Sequence, residues 1–445
     1  MGFEKDFSDK IIKVGIIGLG QRGAVLLGTI MACEEAKVTA LCDLYDDRVQ
    51  AAQDRVIKKY GEKPATYSDF HLLVDDENVD VVLISAAWEV HVDIAVESME
   101  KGKIVALEVG GAYRVSDCWR LVDAYERTGT PIMMMENCCW DRFELLSTSL
   151  VRNGVLGEIV HCHGAYSHDL RDEILGGIVN RHYRLRNYRE RNCDNYPTHE
   201  LGPIAKILDV NRGNKLNTLV SVSCKAAGLE AFEYSDMNPD KSLIGCRFKQ
   251  GDIVSTMITC ENGETITLTL DTTLTKYYSR EFTVRGTKGL CNQEANMVFV
   301  DGVNDSHEFF DPEKTIGKYI NNAEEYSEYQ VEEWRNITDK ARTLGHGGMD
   351  YLMIKAFFKA VKTGAEMPVD VYDTATWMSV TALSEISIAE GGAPQKFPDF
   401  TRGKWKERPR LDVTEFPVVS RARGNTEETG DDGIEENKEK KVSVG

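Results

Sequence analysis

The stretch KVGIIGLGQRGAVLLGTI, residues 13–30, decides the fold. Val14 to Ile17 form a short apolar run, the pattern of a buried parallel strand. Gly18-Leu19-Gly20-Gln21-Arg22-Gly23 follows and opens a helix-like run. A glycine triplet of this spacing means little alone, but here it sits between a strand and a helix. Gly18 permits the tight turn, Gly20 the close approach of a pyrophosphate, and Gly23 the packing of helix on strand. The helix N-terminus offers its N–H groups to phosphate. A second strand, KVTALCDL, brings in Asp43, twenty residues past Gly23. That is the place of an acidic residue that takes ribose hydroxyls. Asp43 would repel a 2′-phosphate, so the expected cofactor is NAD, with Arg22 and Arg48 the residues that argue the other way. Gln21 and Arg22 belong to the expected cofactor contacts.

Working outward, the strand–helix rhythm continues. ATYSDFHLLVDDENVD reads as a helix and turn, VVLISAA as a strand, and EVHVDIAVESMEKG as a helix closed by Gly102. KIVALEV and PIMMMENC are two further strands. Ligands of such sheets bind at the carboxyl ends of the strands. The end residues are Ala86-Ala87-Trp88, Glu108-Val109-Gly110 and Glu136-Asn137. Glu108 and Asn137 are expected at ribose and nicotinamide, and Trp88 at the nicotinamide pocket, on a sugar or in the core. From about residue 150 the period changes. EIVHCHGAY, TLVSVSCKA, LIGCRFKQ, DIVSTMITC, ETITLTLDTT, EFTVRGTKG and NMVFVDG read as successive strands with hairpin-like turns. The expected fold is therefore α/β plus α+β, a Rossmann domain followed by an open, mostly antiparallel sheet. The expected divisions are 1–136 for NAD, 137–385 for substrate, 386–420 as an extension packing back, and 421–445 as a disordered charged tail. One face of the open sheet suits helices; the other suits a second subunit, so a homo-oligomer is expected.

Composition narrows the function. The chain has 445 residues, of which 42% are apolar, and a net charge of −19. That charge argues against nucleic acid and anionic membrane as partners. No apolar run reaches the length of a membrane span. Eleven cysteines, an odd number, include no CxxC pair. With an N-terminus that does not read as a leader, they point to reduced thiols and the cytoplasm. His161 and His163 share a strand face without an evident third ligand, so no metal is expected.

The stretch NYPTHELGP, residues 195–203, carries the chemistry. Pro197 disfavours helix in Tyr196 before it and suits the first helical turn itself. His199 then lies in that turn, where the helix dipole favours a neutral, proton-accepting imidazole. A phenol and an imidazole at one helix mouth suit proton transfer with hydroxyl groups; they also suit a plain capping pair.

The chain resembles the Gfo/Idh/MocA oxidoreductases, and within them glycoside hydrolase family 109, the NAD-dependent α-N-acetylgalactosaminidases. The resemblance is carried by GLGQRG, CDLYDDR, WEVH, ENCCWDR, HDLR, NYPTHELGP, DVNRG, YYSR, GTKG, GHGGMD and PDFTRGKW, from about residue 13 to 406. It implies hydrolysis by transient oxidation: hydride leaves C3 of the sugar, the C2 proton is lost with the C1 substituent, water adds, and hydride returns. It implies Tyr196, His199 and Tyr278 as catalytic residues; Arg280, near Tyr278 in sequence, is a candidate for lowering a tyrosine pKa or lies elsewhere. His91 of WEVH joins the cofactor contacts. His168, Asp169 and Arg171 of HDLR are either substrate contacts or a loop ion pair. Arg184 is a sugar contact or part of a solvated arginine face, and His346 with Asp350 a substrate contact or a helix cap. The Glu-Lys-Pro common in the superfamily is Glu108-Val109-Gly110 here, without the lysine of ordinary dehydrogenases. Glu200, Trp140, Gly110 and Ala86-Ala87 depart from the family pattern and bear on which sugar is taken. The rival readings are an NAD-dependent sugar or inositol dehydrogenase and a non-catalytic NAD-binding regulatory protein.

Overall fold

The computed structural model describes residues 5–304, 307, 311–316 and 318–420, so the expected disordered tail 421–445 lies outside the described residues. Six parallel strands form the first sheet: β1 (Ile12–Ile17), β2 (Ala36–Cys42), β3 (Ala65–Tyr67), β4 (Val81–Ile84), β5 (Ile104–Leu107) and β6 (Ile132–Met134). Their order is β3-β2-β1-β4-β5-β6. The crossing-over between β1 and β4 opens the crevice in which this fold binds dinucleotides. β1, β4, β5 and β6 are buried almost throughout, which is why they read as unbroken apolar runs.

Helices α1 (Gln21–Met31), α2 (Asp46–Tyr60), α3 (Phe70–Asp75), α4 (Trp88–Glu100) and α5 (Val115–Thr128) connect these strands. α2 and α5 end on Gly61 and Gly129, both in left-handed conformation. One expectation is corrected here. ATYSDFHLLVDDENVD is not only helix and turn: Ala65–Tyr67 pairs with β2 as the edge strand. Three residues are too few to show a period.

α6 (Arg142–Arg152) leads into the second sheet. Its strands are β7 (Ile159–Ser167), β8 (Leu216–Ser223), β9 (Ile253–Cys260), β10 (Thr265–Asp271), β11 (Thr283–Gly286), β12 (Gly289–Asn292), β13 (Met297–Val300) and β14 (Gln395–Lys396). The order is β13-β12-β11-β7-β10-β9-β8-β14. All pairs are antiparallel except β7 with β10. LIGCRFKQ is not a strand. It is irregular chain broken at Gly245, φ +85°, with Leu243 and Phe248 anchored in the core. β12, hidden between two turns, had no apolar alternation to mark it.

α7 (Arg171–Leu175), α8 (Arg184–Glu190) and α9 (Pro197–Ile207) lie between β7 and β8. α9 sits on β7 so tightly that a Cβ on Gly164 would meet the Glu200 carbonyl oxygen at 2.2 Å. Two long helices lie between β13 and β14, Met349–Thr363 and Val371–Ala389. The first packs on α1 and on the turn after β6, the second on α5, β6, α9 and β8. They join the two sheets at the carboxyl ends of the first.

Candidate active site

A cavity of about 1350 Å³ opens at those strand ends and runs from the glycine turn to the second sheet. Gly18, at φ +91°, turns so close to β4 that a Cβ would lie 2.5 Å from the Ala86 nitrogen. A Cβ on Gly20 would meet nothing nearer than Arg48 at 3.5 Å and would project into free space. No side chain caps α1, whose N-terminus starts there. Gly23 does not line the cavity; its Cβ would strike the Gly18 oxygen at 2.0 Å, so it serves the packing of helix on turn.

Asp43 is fixed by two amides, Leu19 N–H at 2.7 Å and Tyr45 N–H at 3.0 Å. Each oxygen keeps acceptor capacity on the cavity side. Gln21, Trp88, His91, Glu108 and Asn137 line the same space. His91 donates Nε2–H to the Ala86 carbonyl at 2.9 Å, and its buried Nδ1 has no hydrogen-bond partner among the described residues. Burial brings its pKa down to about 4, so the ring is neutral. Trp88 donates Nε1–H to the Val109 carbonyl at 3.2 Å. Gly110 makes that possible, because a Cβ there would lie 2.5 Å from the indole.

Arg22 and Asp350 do something the sequence did not foreshadow. Asp350 is fully buried, does not line the cavity, and accepts from Arg22 at 2.6 and 3.0 Å and from Asn137 at 2.8 Å. His346 Nδ1 lies 3.0 Å from it. The expectation of a substrate contact or helix cap at Asp350 is thus replaced by a link to the glycine turn. Arg22 also reaches Glu108 at 2.9 Å, so its charge is already spoken for. Burial tends to raise the Asp350 carboxyl, but His346 and Arg22 outweigh it and hold it well below the carboxylate range. In Glu108 the balance falls the other way: burial raises it despite Arg22.

At the far end of the cavity stand Tyr166, His168, Arg184, Tyr196, His199 and Tyr278. Tyr196 is the residue before α9, Pro197 the first and His199 the third residue within it, as the local reading required. His199 Nδ1 lies 2.7 Å from Glu136 Oε1, and Glu136, at the end of β6, is 0% exposed. The same carboxylate oxygen accepts the Cys138 N–H at 3.1 Å. Burial pushes the Glu136 carboxyl up; His199, Thr198 and that amide together overcome it and leave the pKa lowered. An ionised Glu136 fixes the proton on Nδ1 and leaves Nε2 as the acceptor.

The Tyr196 ring stacks on Tyr166, centroids 4.2 Å apart, and Tyr166 meets His199 edge-on at 5.5 Å and His168 at 4.9 Å. Arg184 is 7% exposed and lies 5.1 Å from the Tyr196 ring and 5.4 Å from Trp88. It pairs with Glu173 at 2.8 Å, and its buried Nη1 has no hydrogen-bond partner. It is no solvated face. His168 also keeps a buried Nε2 without partner, and burial with Arg184 holds it neutral, at about 4. Arg280 does donate to the Tyr278 hydroxyl, at 3.2 Å. Even so, burial raises that phenol well above its ordinary value, as it does Tyr196, so the expected lowering of Tyr278 is reversed. Arg280 is occupied by Glu144 at 2.6 Å and Asp141 at 2.9 Å.

Asp169 and Arg171 leave the set. They bind each other at 2.6 Å, Arg171 covers Phe232, and neither lines the cavity. His346 lines it at the Arg22 end. Two members of the site carried no sequence assignment. Tyr166 is an aromatic on a strand, where aromatics are ordinary. Glu136 was marked only as a strand-end residue, and that position is the signal that finds it. Glu136, Cys138 and His199 also bring three donor atoms within 4.8 Å of one another. Glu136 Oε1 is already engaged there by His199 and the Cys138 amide.

Comparison with known proteins agrees with this geometry. Residues 12–136 match the family model "Oxidoreductase family, NAD-binding Rossmann fold", and residues 140–407 match "Glycosyl hydrolase 109, C-terminal domain". A relative named alpha-N-acetylgalactosaminidase, from Tannerella forsythia, is 34% identical over 90% of this chain and 88% of its own length. A glycosyl hydrolase family 109 protein of Stenotrophomonas maltophilia is 36% identical over 89% and 90%. Among solved structures, the myo-inositol 2-dehydrogenase of Lactobacillus plantarum superposes with a TM-score of 0.61 at 16% identity, covering 87% of this chain and all of that one. The last likeness is one of fold. With both of its family models in sequence and relatives aligned over nine-tenths of its length, the chain belongs to glycosyl hydrolase family 109.

Proposed function

We propose that the protein hydrolyses glycosides, α-N-acetylgalactosaminides or close relatives, with a bound NAD that is regenerated in each turnover. The observation that carries the reading is the buried Glu136–His199 pair, 2.7 Å apart, opening on the same cavity as the glycine turn and Asp43. The residues fit NAD: a Cβ on Gly20 would fill the phosphate cradle, and Asp43 is held with free acceptor capacity for ribose hydroxyls. Arg22 is engaged by Asp350 and Glu108, which removes it as a 2′-phosphate ligand and favours NAD over NADP. Bound NAD would supply a reversible hydride sink at C3 of the sugar.

The chain's own residues move the protons. His199 Nε2 accepts the C3 hydroxyl proton, and Glu136 stabilises the imidazolium. Oxidation at C3 makes the C2 proton acidic; that proton passes to solvent as the C1 oxygen departs, water then adds at C1 with a solvent proton returning to C2, and the C3 ketone is reduced back to the alcohol. Tyr196 and Tyr278, held as phenols by burial, orient the sugar and donate to its oxygens. Tyr166 and the unpartnered Arg184 Nη1 and His168 Nε2 complete the sugar contacts. A second copy of the chain is the proposed cover of the outer face of the second sheet.

The test is NMR of the sugar released from nitrophenyl glycosides, the α-N-acetylgalactosaminide included, in D2O. Deuterium at C2 of the free sugar is the expected result. Release without deuterium would sink the elimination route. NADH accumulating without release would make the protein a dehydrogenase.

A further inference from the structure

Two ties cross the cofactor groove from the part of the chain that follows the first sheet. The first is at the glycine turn. Gly345, His346, Gly347 and Gly348 all have positive φ, at 72°, 40°, 67° and 108°. This winds the chain tightly before the helix Met349–Thr363. Gly345 has no room for a Cβ, which would lie 2.2 Å from the Asp350 carboxylate. The carboxylate is thus wrapped by its own loop and aimed at Arg22 and Asn137. Through Arg22 it reaches Glu108. One side chain therefore fixes three groups placed at the cofactor.

The second tie is at the Asp43 end. The segment between α7 and α8 returns to α2. Arg181 binds Asp47 with both nitrogens, at 2.8 and 2.7 Å, and Arg48 donates to the Asn180 carbonyl at 2.9 Å. Arg48 and Arg181 both lie on the Tyr45 ring, 4.9 and 4.3 Å from its centre. Asn180, Arg181 and Tyr45 line the same cavity as Asp43.

We infer that these two ties set how slowly the bound dinucleotide leaves, with Asp350 as a positioning residue and Arg181–Asp47 as a clasp over the Asp43 end. The inference rests on the cofactor-recycling reading, in which hydride taken from a sugar must return to the same sugar. A cofactor that exchanged mid-cycle would leave an oxidised sugar behind.

The experiment measures NAD, apart from activity. The full-length protein is loaded with NAD and gel-filtered, and retained NAD is assayed after denaturation. Its release rate is followed by exchange into excess fluorescent etheno-NAD. The variants are Asp350→Asn, Arg181→Asp and the swap Arg181→Asp with Asp47→Arg. Wild type is expected to keep close to one NAD per chain. Arg181→Asp sets two like charges face to face and is expected to release NAD roughly two- to fivefold faster, the scale of an exposed pair. The swap is expected to restore the slow rate, which a mere loss of local structure would not allow. Asp350→Asn is expected to release it faster still; its melting curve tells loss of fold from loss of the tie. NAD lost from wild type on the column, or equal rates in wild type and Arg181→Asp, would overturn the inference. The deuterium experiment is independent: label at C2 with fast exchange defeats the ties alone, and slow exchange without label defeats the hydrolytic reading alone.

Discussion

Glu136 is the residue on which the proposed chemistry turns. Its carboxylate is buried, is held ionised by His199, Thr198 and the Cys138 amide, and sets which nitrogen of His199 faces the cavity. Glu136→Gln keeps the shape and removes the charge. The amide can present N–H to the imidazole and so reverse its tautomer. We expect kcat to fall by roughly a hundredfold or more with KM little changed, the signature of lost proton transfer. Steady-state kinetics on the substrate identified by NMR checks this, and an unchanged kcat would remove His199 from the role of base. The site's two phenols show the opposite lesson. Arg280 stands beside Tyr278, but nearness in sequence does not report how many acids Arg280 already serves.

Element by element, the first turn of α9 is held from behind by acids. Asp194, just before α9, and Glu200, within it, are both fully buried, and their four carboxyl oxygens find no N–H or O–H donor among the described residues. Two bare carboxylates would not survive there, so a proton is retained. Burial raises Asp194 to about 7, and burial with the Asp194 charge raises Glu200 well above normal. The sign follows from linkage. A raised folded pKa gives stability that is complete below the unfolded value near 4 and lost as pH rises through the folded one. Buried His91, His168 and His182, each lowered to about 4, act in the opposite sense up to their unfolded value near 6.5. Between pH 6.5 and 8 those three histidines no longer compensate, while the acid pair, Glu144 raised by burial and His71 raised by Glu97 all lose stability as pH rises, so the melting temperature should fall by a few degrees. Glu200→Gln should flatten that fall, which calorimetry across the interval decides.

For the whole molecule, the outer face of the second sheet raises the question of assembly. On β8, β9 and β10 it presents Val222, Ser255, Met257, Thr259 and Thr267, with Asp271 as the acid at the end of β10, and Val222 and Met257 are more than half exposed. A largely uncharged face across three adjacent strands is what a second copy would cover. Light scattering on the purified protein should give twice the chain mass, and Met257→Lys should shift it toward the monomer. A monomer at all concentrations would refute the assembly. No helix among the described residues is long and apolar enough to cross a membrane.

The sequence by itself determined the dinucleotide fold, the open sheet and the start of α9. Each of these rests on local chemistry: glycine spacing, apolar runs, and proline at a helix entrance. The family resemblance of two short stretches, NYPTHELGP and YYSR, pointed to Tyr196, His199 and Tyr278. Only the tertiary structure decided what those groups can do. It brought Glu136 from β6 to His199, 63 residues away, and Asp350 to Arg22, 328 residues away. It sent Asp169 and Arg171 to each other rather than to the cavity. Periodicity and spacing report which face of an element is buried. They do not report which buried charge meets which, and pairing across elements sets the protonation on which the chemistry depends.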